Sequence, residues 1–257
     1  MCGRFTMYAD DAELTTLFDI DLVEGEHAPS YNQAPSELIR AVRSDAEAER
    51  LLTNQKWGFV PFWAKEGFKP LINARAETVT EKPVFSAAAK KRRCLVPSNG
   101  YFEWQKKRDG KKQPYFLSLA DSDGNPAPPG SEPVMAMAGI YEWPAAGDQS
   151  GEAGKLELPA PATVALLTRS SSDTLGHIHD RMPVFVPRSL WGMWLDQELT
   201  DKDKVAELIA AIPPAPLAPR MVAPAVGNVR NNFPGLIDPY DPDGGKLFSR
   251  SCWMSCG

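Results

Sequence analysis

Short apolar runs of strand length, separated by stretches rich in proline and glycine, recur through this chain and read as parts of one sheet system. Residues 38–42, 51–59, 115–119, 134–141, 163–168 and 220–226 each have the length and composition of a strand. Residues 94–97 and 100–104 are two shorter apolar segments that bracket the turn Pro97-Ser98-Asn99-Gly100. The stretches 121–133 and 144–161 are then surface loops and not linkers between domains. Helical spacing is confined to residues 10–18, with Leu14, Leu17 and Phe18 on one face, to 83–90, to Trp191, Trp194 and Leu195, and to 203–211.

With 257 residues, 43% of them hydrophobic and 24% charged, the chain can bury a full core. No apolar run approaches the ~18 residues of a membrane span, and the first residues lack the layout of a signal peptide. The expected location is therefore the cytoplasm, or a nucleoid or nucleus. Four cysteines, Cys2, Cys94, Cys252 and Cys256, form no Cys-x-x-Cys pair and are expected to be thiols. Cys252 and Cys256 have the spacing of a metal half-site, but no histidine accompanies them. The net charge of −5 argues against indiscriminate nucleic-acid binding and leaves room for a local basic groove.

Cys2 stands directly behind the initiator. Removal of Met1 would leave one residue with two nucleophiles, an α-amine with an ordinary pKa of about 8 and a thiol with one of about 8.5. Such a pair can capture an aldehyde: the amine condenses to a Schiff base, and sulfur closes onto the same carbon to give a thiazolidine. Set against this is a plainer reading, in which the N-terminus is a tail and Cys2 a small buried residue.

Several further clusters carry chemistry. Trp57-Gly58-Phe59-Val60-Pro61-Phe62-Trp63 is either a core corner or a rigid rim on which bases stack. Asn73-Ala74-Arg75-Ala76-Glu77-Thr78, too irregular for an alternating strand, is expected to be an ordered loop or helix entry suited to orienting and anion binding. The run Lys90-Lys91-Arg92-Arg93 reads as a solvated basic face. Glu103 lies between Phe102 and Trp104, and strand alternation would turn it away from both rings. That position suits an exposed carboxylate or an enclosed general acid. Hydroxyls in Thr168-Arg169-Ser170-Ser171-Ser172-Asp173 could cap a helix or bind phosphate. In His177-Ile178-His179-Asp180-Arg181 a metal would need more ligands than are at hand, so an acid or base beside Arg181 is the preferred reading. From residue 241 the chain is polar and glycine-rich and is expected to be mobile.

Five blocks occur here in the order seen in the SOS response-associated peptidase family, which this chain therefore resembles. They are Cys2-Gly3-Arg4-Phe5; Trp57-Gly58 with Pro61 and Trp63; Asn73-Ala74-Arg75 with Glu77; Cys94-Leu95-Val96-Pro97 with Gly100-Tyr101-Phe102-Glu103-Trp104; and His179-Asp180-Arg181-Met182-Pro183. The resemblance implies a single α+β domain over residues 1–239, with a curved, barrel-like mixed β-sheet core flanked by short helices, followed by a polar tail at 240–257. It also implies a monomer that senses abasic sites in single-stranded DNA and traps them covalently through Cys2, with no cofactor and no metal. On that pattern Cys2, Asn73, Glu103 and His179 are catalytic: Glu103 opens the closed sugar, Asn73 holds the sugar and the N-terminus, and His179 assists proton transfer. Arg4, Arg75 and Arg181 would contact phosphates, with Trp63 and Thr168 along the strand path. The family name reflects a thiol autopeptidase activity that removes Met1. Two other classes stand beside the trapping reading, a cysteine peptidase using Cys2, His179 and Glu103, and a non-catalytic single-stranded-DNA-binding module. The departures from the family pattern, the proline-rich loop 144–161 and the tail, touch none of the blocks.

Overall fold

The computed structural model describes residues 2–47, 49–108, 110–143, 161–171 and 177–242. In chain order its strands are β1 (Phe5–Met7), β2 (Leu22–Val23), β3 (Ser30–Gln33), β4 (Leu38–Ser44), β5 (Arg50–Trp57), β6 (Asn73–Arg75), β7 (Arg93–Ser98), β8 (Gly100–Lys106), β9 (Lys112–Leu119), β10 (Met135–Glu142), β11 (Thr163–Ser170), β12 (Arg181–Pro183) and β13 (Leu217–Met221). The helices α1 (Asp11–Phe18), α2 (Ser86–Lys91), α3 (Trp191–Leu195) and α4 (Lys202–Ala211) flank them. One sheet has the order β13-β9-β8-β1-β3 and the other β12-β11-β10-β7-β4-β5-β2, with β6 beside β11.

The larger sheet closes on itself. β11 pairs antiparallel with β10 and parallel with β5, through Thr163↔Lys56 and Val164↔Trp57. The strands β11, β10, β7, β4 and β5 therefore form a ring, which spares them exposed edges. This is the barrel-like, single α+β domain that the resemblance implied. Its main core includes Phe5, Trp57, Tyr101 and Trp194. The buried indoles are satisfied, Trp57 Nε1 by Ile72 O and Trp194 Nε1 by Cys94 O, each at 2.9 Å, and Trp191 Nε1 by Val186 O at 2.8 Å. Helix α1 is capped by Asp10, whose carboxylate accepts the Glu13 N–H at 2.8 Å, and Phe18 at its end stacks on Trp191 at 4.3 Å.

Only Asn99 separates β7 from β8, yet those strands belong to different sheets. Asn99 makes that switch by bonding outward: its N–H donates to Thr6 O, its Oδ1 accepts the Tyr8 N–H, and its Nδ2 donates to Glu132 O, each at 3.0 Å. Beyond the switch, β8 alternates cleanly. Tyr101 joins the main core, whereas Phe102 and Trp104 pack on the opposite face with Phe116, Val222, Val226, Leu236 and Ile237. Glu103 is thereby turned to the Tyr101 side and is 4% exposed, so of its two sequence readings the exposed carboxylate is excluded.

Four expectations need correction. Asn73–Arg75 is a strand, because parallel pairing with Leu166, Leu167 and Thr168 supplies the order that the sequence pattern lacked. The helix expected over 83–90 is the shorter α2, preceded by a turn at Phe85. The last strand is β13, and Pro224 instead opens a 3-10 turn; Pro219 is tolerated inside β13 because that strand lies at a sheet edge. The basic run is only partly solvated. Arg93 is buried and donates to Ala89 O, Lys90 O, Trp194 O and Asp196 O, while Arg92 pairs with Glu142 at 2.7 Å. The loop 144–160, residues 172–176 and everything after 242, with Cys252 and Cys256, lie outside the described residues.

Gly139 lies where β10 passes between β7 and β11, and a Cβ there would meet Cys94 Sγ at 2.7 Å and Val164 Cγ2 at 3.3 Å. Gly139→Ala is expected to lower the unfolding free energy in a urea titration by about 1–3 kcal/mol, the usual cost of overpacking a tight core.

Candidate active site

Cys2 precedes β1 and is fully buried. Its carbonyl accepts a hydrogen bond from Asn73 Nδ2 at 2.7 Å, which ties the start of the chain to β6 on the other sheet. Asn73 Oδ1 is buried and has no hydrogen-bond partner among the described residues, leaving an acceptor beside Cys2. The Cys2 thiol is held well above its ordinary pKa, first by burial and then by the negative charge of Glu103, against a smaller lowering by the Arg4 backbone. Burial also raises the Tyr101 hydroxyl, with Cys2 and Glu103 adding to the effect. These mutual influences place Cys2, Tyr101 and Glu103 in one enclosed site.

A second group forms around the end of β11. β6 and β12 flank this strand on opposite sides, with Thr168 opposite Arg75 on one and Pro183 on the other. Thr168 is buried, and its Oγ1 donates to Ala74 O at 3.5 Å. The guanidinium of Arg181 grips Glu77 with both terminal nitrogens, at 2.7 and 2.8 Å, and also donates to Thr168 O at 2.5 Å. That charge-assisted pair lowers the Glu77 carboxyl to about 2. His179 Nδ1 accepts the Arg181 backbone N–H at 3.0 Å, which occupies the lone pair of that nitrogen and assigns the ring proton to Nε2. Asp180 Oδ1 stands 2.9 Å from the same nitrogen, but an ion pair there would need a proton where the Arg181 N–H already points; Asp180 is also 86% exposed, so the backbone bond decides the tautomer.

The histidine segment comes down beside β8. Gln105, on the same face of β8 as Tyr101 and Glu103, donates from Nε2 to His177 O at 3.3 Å. Gln105, Tyr101 and Asn32 are contributors that the sequence reading passed over. Gln105 and Tyr101 were findable, since both share alternation with Glu103; Asn32 was not, because its partners come from distant parts of the chain.

The residues expected to meet DNA divide into two kinds. Arg4 faces away from Glu103, with Nη1 bonded to Asn32 Oδ1 and Val226 O, each at 2.8 Å, and its guanidinium over Trp104. Arg181 is likewise engaged internally. Arg75 is exposed and makes no side-chain hydrogen bond or ion pair among the described residues. The aromatic block also splits: Trp57 and Phe59 are fully buried, while Phe62 and Trp63 are 57% and 51% exposed.

A family model described as SOS response associated peptidase (SRAP) matches residues 1–229. The chain belongs to this family. Among SRAP relatives, it is 33% identical over 246 residues to the abasic site processing protein YoqW of Bacillus subtilis, covering 93% of this chain and 100% of that protein. It is 29% identical to the abasic site processing protein HMCES of Mus musculus, covering 94% of this chain and 76% of that protein. A crystal structure of a Bacteroides thetaiotaomicron protein shares the fold, with a TM-score of 0.71 at 20% identity, over 93% of this chain and 100% of that one. All five SRAP blocks lie within the matched region; those of Asn73 and Glu103 meet Cys2, those of Asn73 and Arg181 flank the end of β11, and that of Trp57 pairs with its start.

Because the Glu77 carboxyl lies below its ordinary value of 4.5, its contribution to stability is present above pH 4.5 and is lost as the pH falls toward about 2. Urea unfolding of the parent and of Glu77→Gln is therefore expected to differ at pH 6 and to converge as the pH is lowered through this window.

Proposed function

We propose that this chain is an abasic-site processing protein that traps the lesion in single-stranded DNA by forming a thiazolidine on Cys2. The observation that carries the reading is the Asn73 Nδ2 bond to Cys2 O at 2.7 Å, made in an enclosed site that also holds Glu103. Family membership and the relatives' shared description as abasic site processing proteins support it.

The steps balance without an added reagent. Hydrolysis of the Met1–Cys2 peptide bond frees the amine. Glu103 then moves a proton from the C1′ hydroxyl to the ring oxygen of the closed deoxyribose, which opens the ring to the C1′ aldehyde and leaves the carboxylate as it began. The amine adds to C1′ and water leaves, giving an imine. Sulfur adds to the same carbon while the thiol proton goes to the imine nitrogen, so aldehyde and aminothiol yield thiazolidine and one water. A thiol kept protonated by burial and by Glu103 suits this order, since the amine attacks first and the sulfur closes the ring afterwards.

Exposed Arg75 and the half-exposed rings of Phe62 and Trp63 would carry the strand through phosphate contact and base stacking. Arg4, Arg181 and Thr168 shape this path from positions held inside the protein. Such a monomer would work in the cytoplasm or on the nucleoid; among the described residues no helix is long and apolar enough to cross a membrane.

The test is incubation with an abasic oligonucleotide. Intact mass should show protein lacking Met1 and an adduct one water lighter than the sum of protein and DNA. Cys2→Ser should abolish the heat-stable adduct, and Glu103→Gln should slow single-turnover trapping by about 10²-fold while leaving binding intact. An unchanged rate in Glu103→Gln would assign that carboxylate a structural role. Arg75→Ala should reduce the salt dependence of single-strand affinity by about 0.7 in the log–log slope, the share of one phosphate contact.

A further inference from the structure

Glu77 takes no part in the chemistry above, yet its carboxylate joins strands that carry the chemistry. It follows β6, while its partner Arg181 opens β12 on the far side of β11. The arginine must therefore cross the end of β11 to reach it, and it bonds to that strand on the way, through Thr168 O at 2.5 Å and Ser170 Oγ at 3.3 Å. The Ser170 N–H donates to Glu77 Oε1 at 3.2 Å and completes the strap. At one end, four residues before Glu77, Asn73 holds the Cys2 carbonyl. At the other, the Arg181 N–H holds His179 Nδ1.

We propose that Glu77 is a positioning residue, which through Arg181 fixes the placement and tautomer of His179 relative to Asn73 and Cys2. This rests on the trapping reading, in which His179 assists proton transfer. The Glu77 side chain is 47% exposed, so solvent screens the pair and leaves it a modest share of global stability. Its bidentate geometry fixes direction instead, which is what a ring two residues from Arg181 requires.

Glu77→Gln keeps the size of the side chain and removes its charge and its two-oxygen grip. Single-turnover trapping of an abasic single strand should slow by about 10-fold or more, as expected when a reacting group is misplaced. Affinity for the undamaged strand should not weaken. In a His179→Ala background the same substitution should cost nothing further. Imidazole nitrogen NMR gives a readout independent of trapping: the chain has three histidines, and His179→Ala assigns the signal. The parent should show a bare Nδ1 and a protonated Nε2, and Glu77→Gln should show both tautomers. If the parent forms no adduct while this shift is seen, the trapping reading fails and the positioning role stands. Fully additive losses with His179→Ala, or unaltered rate and ring signals, would overturn the proposal. Should Glu77→Gln fail to fold, Arg181→Lys, which keeps the charge and loses the fork, takes the trapping-rate and ring-nitrogen measurements with the same expected results.

Discussion

The parallel pairing along one side of β11 is the constraint on which the rest of the molecule depends. β5 occupies the first half of that side, at Thr163 and Val164, and β6 occupies the second, at Leu166 to Thr168. The first pairing closes the ring. The second takes a segment with little strand character of its own and sets Asn73 within reach of the Cys2 carbonyl. Barrel closure and site assembly are therefore two consequences of one register. A one-residue slip of β6 would turn Asn73 away from Cys2.

Cys2 itself shows how a chain terminus can be made into a rigid site. Its neighbours in β1 pair with β8 on one side and β3 on the other, so the strand that follows it is held in the interior of its sheet. Phe5 anchors one face by edge contact with Trp57, and Arg4 anchors the other by bonding Asn32 and Val226. Asn32 in turn donates to Val226 O, Asn228 O and Asn231 O, which fastens the segment after β13 over the back of the sheet. The ordering cost of this segment is met by packing on both faces, and on the trapping proposal a nucleophile held there would keep a fixed approach.

Much of this was legible from residue patterns. The apolar runs located β4, β5, β9, β10 and β11, and alternation alone turned Glu103 away from Phe102 and Trp104. What stayed hidden was whatever tertiary pairing decides. The Asn73-Ala74-Arg75 segment has no periodicity and becomes a strand only beside β11. Arg92 and Arg93 look like solvent-facing charge until distant acceptors, Glu142 and the carbonyls of Trp194 and Asp196, draw them in. The turn inside the block Cys94 to Trp104 was legible, but not that Asn99 sends the two halves into separate sheets. For the candidate site, the resemblance singled out Cys2, Asn73, Glu103 and His179, while the contacts around them, Gln105 with His177 O and Glu77 with Arg181, join residues up to about a hundred positions apart and leave no local pattern.

Electrostatics joins these observations. An overall charge of −5 would repel a polyanion, so attraction has to be local, and most of the arginines near the site are already committed to protein partners. With Arg4 turned to Asn32 and Arg181 to Glu77, the guanidinium left facing solvent is that of Arg75, on the same short strand as Asn73. On the trapping proposal, one three-residue strand would offer a contact for the DNA backbone at one end, beside the observed hydrogen bond from Asn73 to Cys2 O at the other. A phosphate held at Arg75 would fix the adjoining sugar by the covalent geometry of the strand, and a missing base would allow that sugar to enter the enclosed site beside Cys2. Selectivity for the lesion would then follow from sterics at the site, and affinity for the strand from charge outside it.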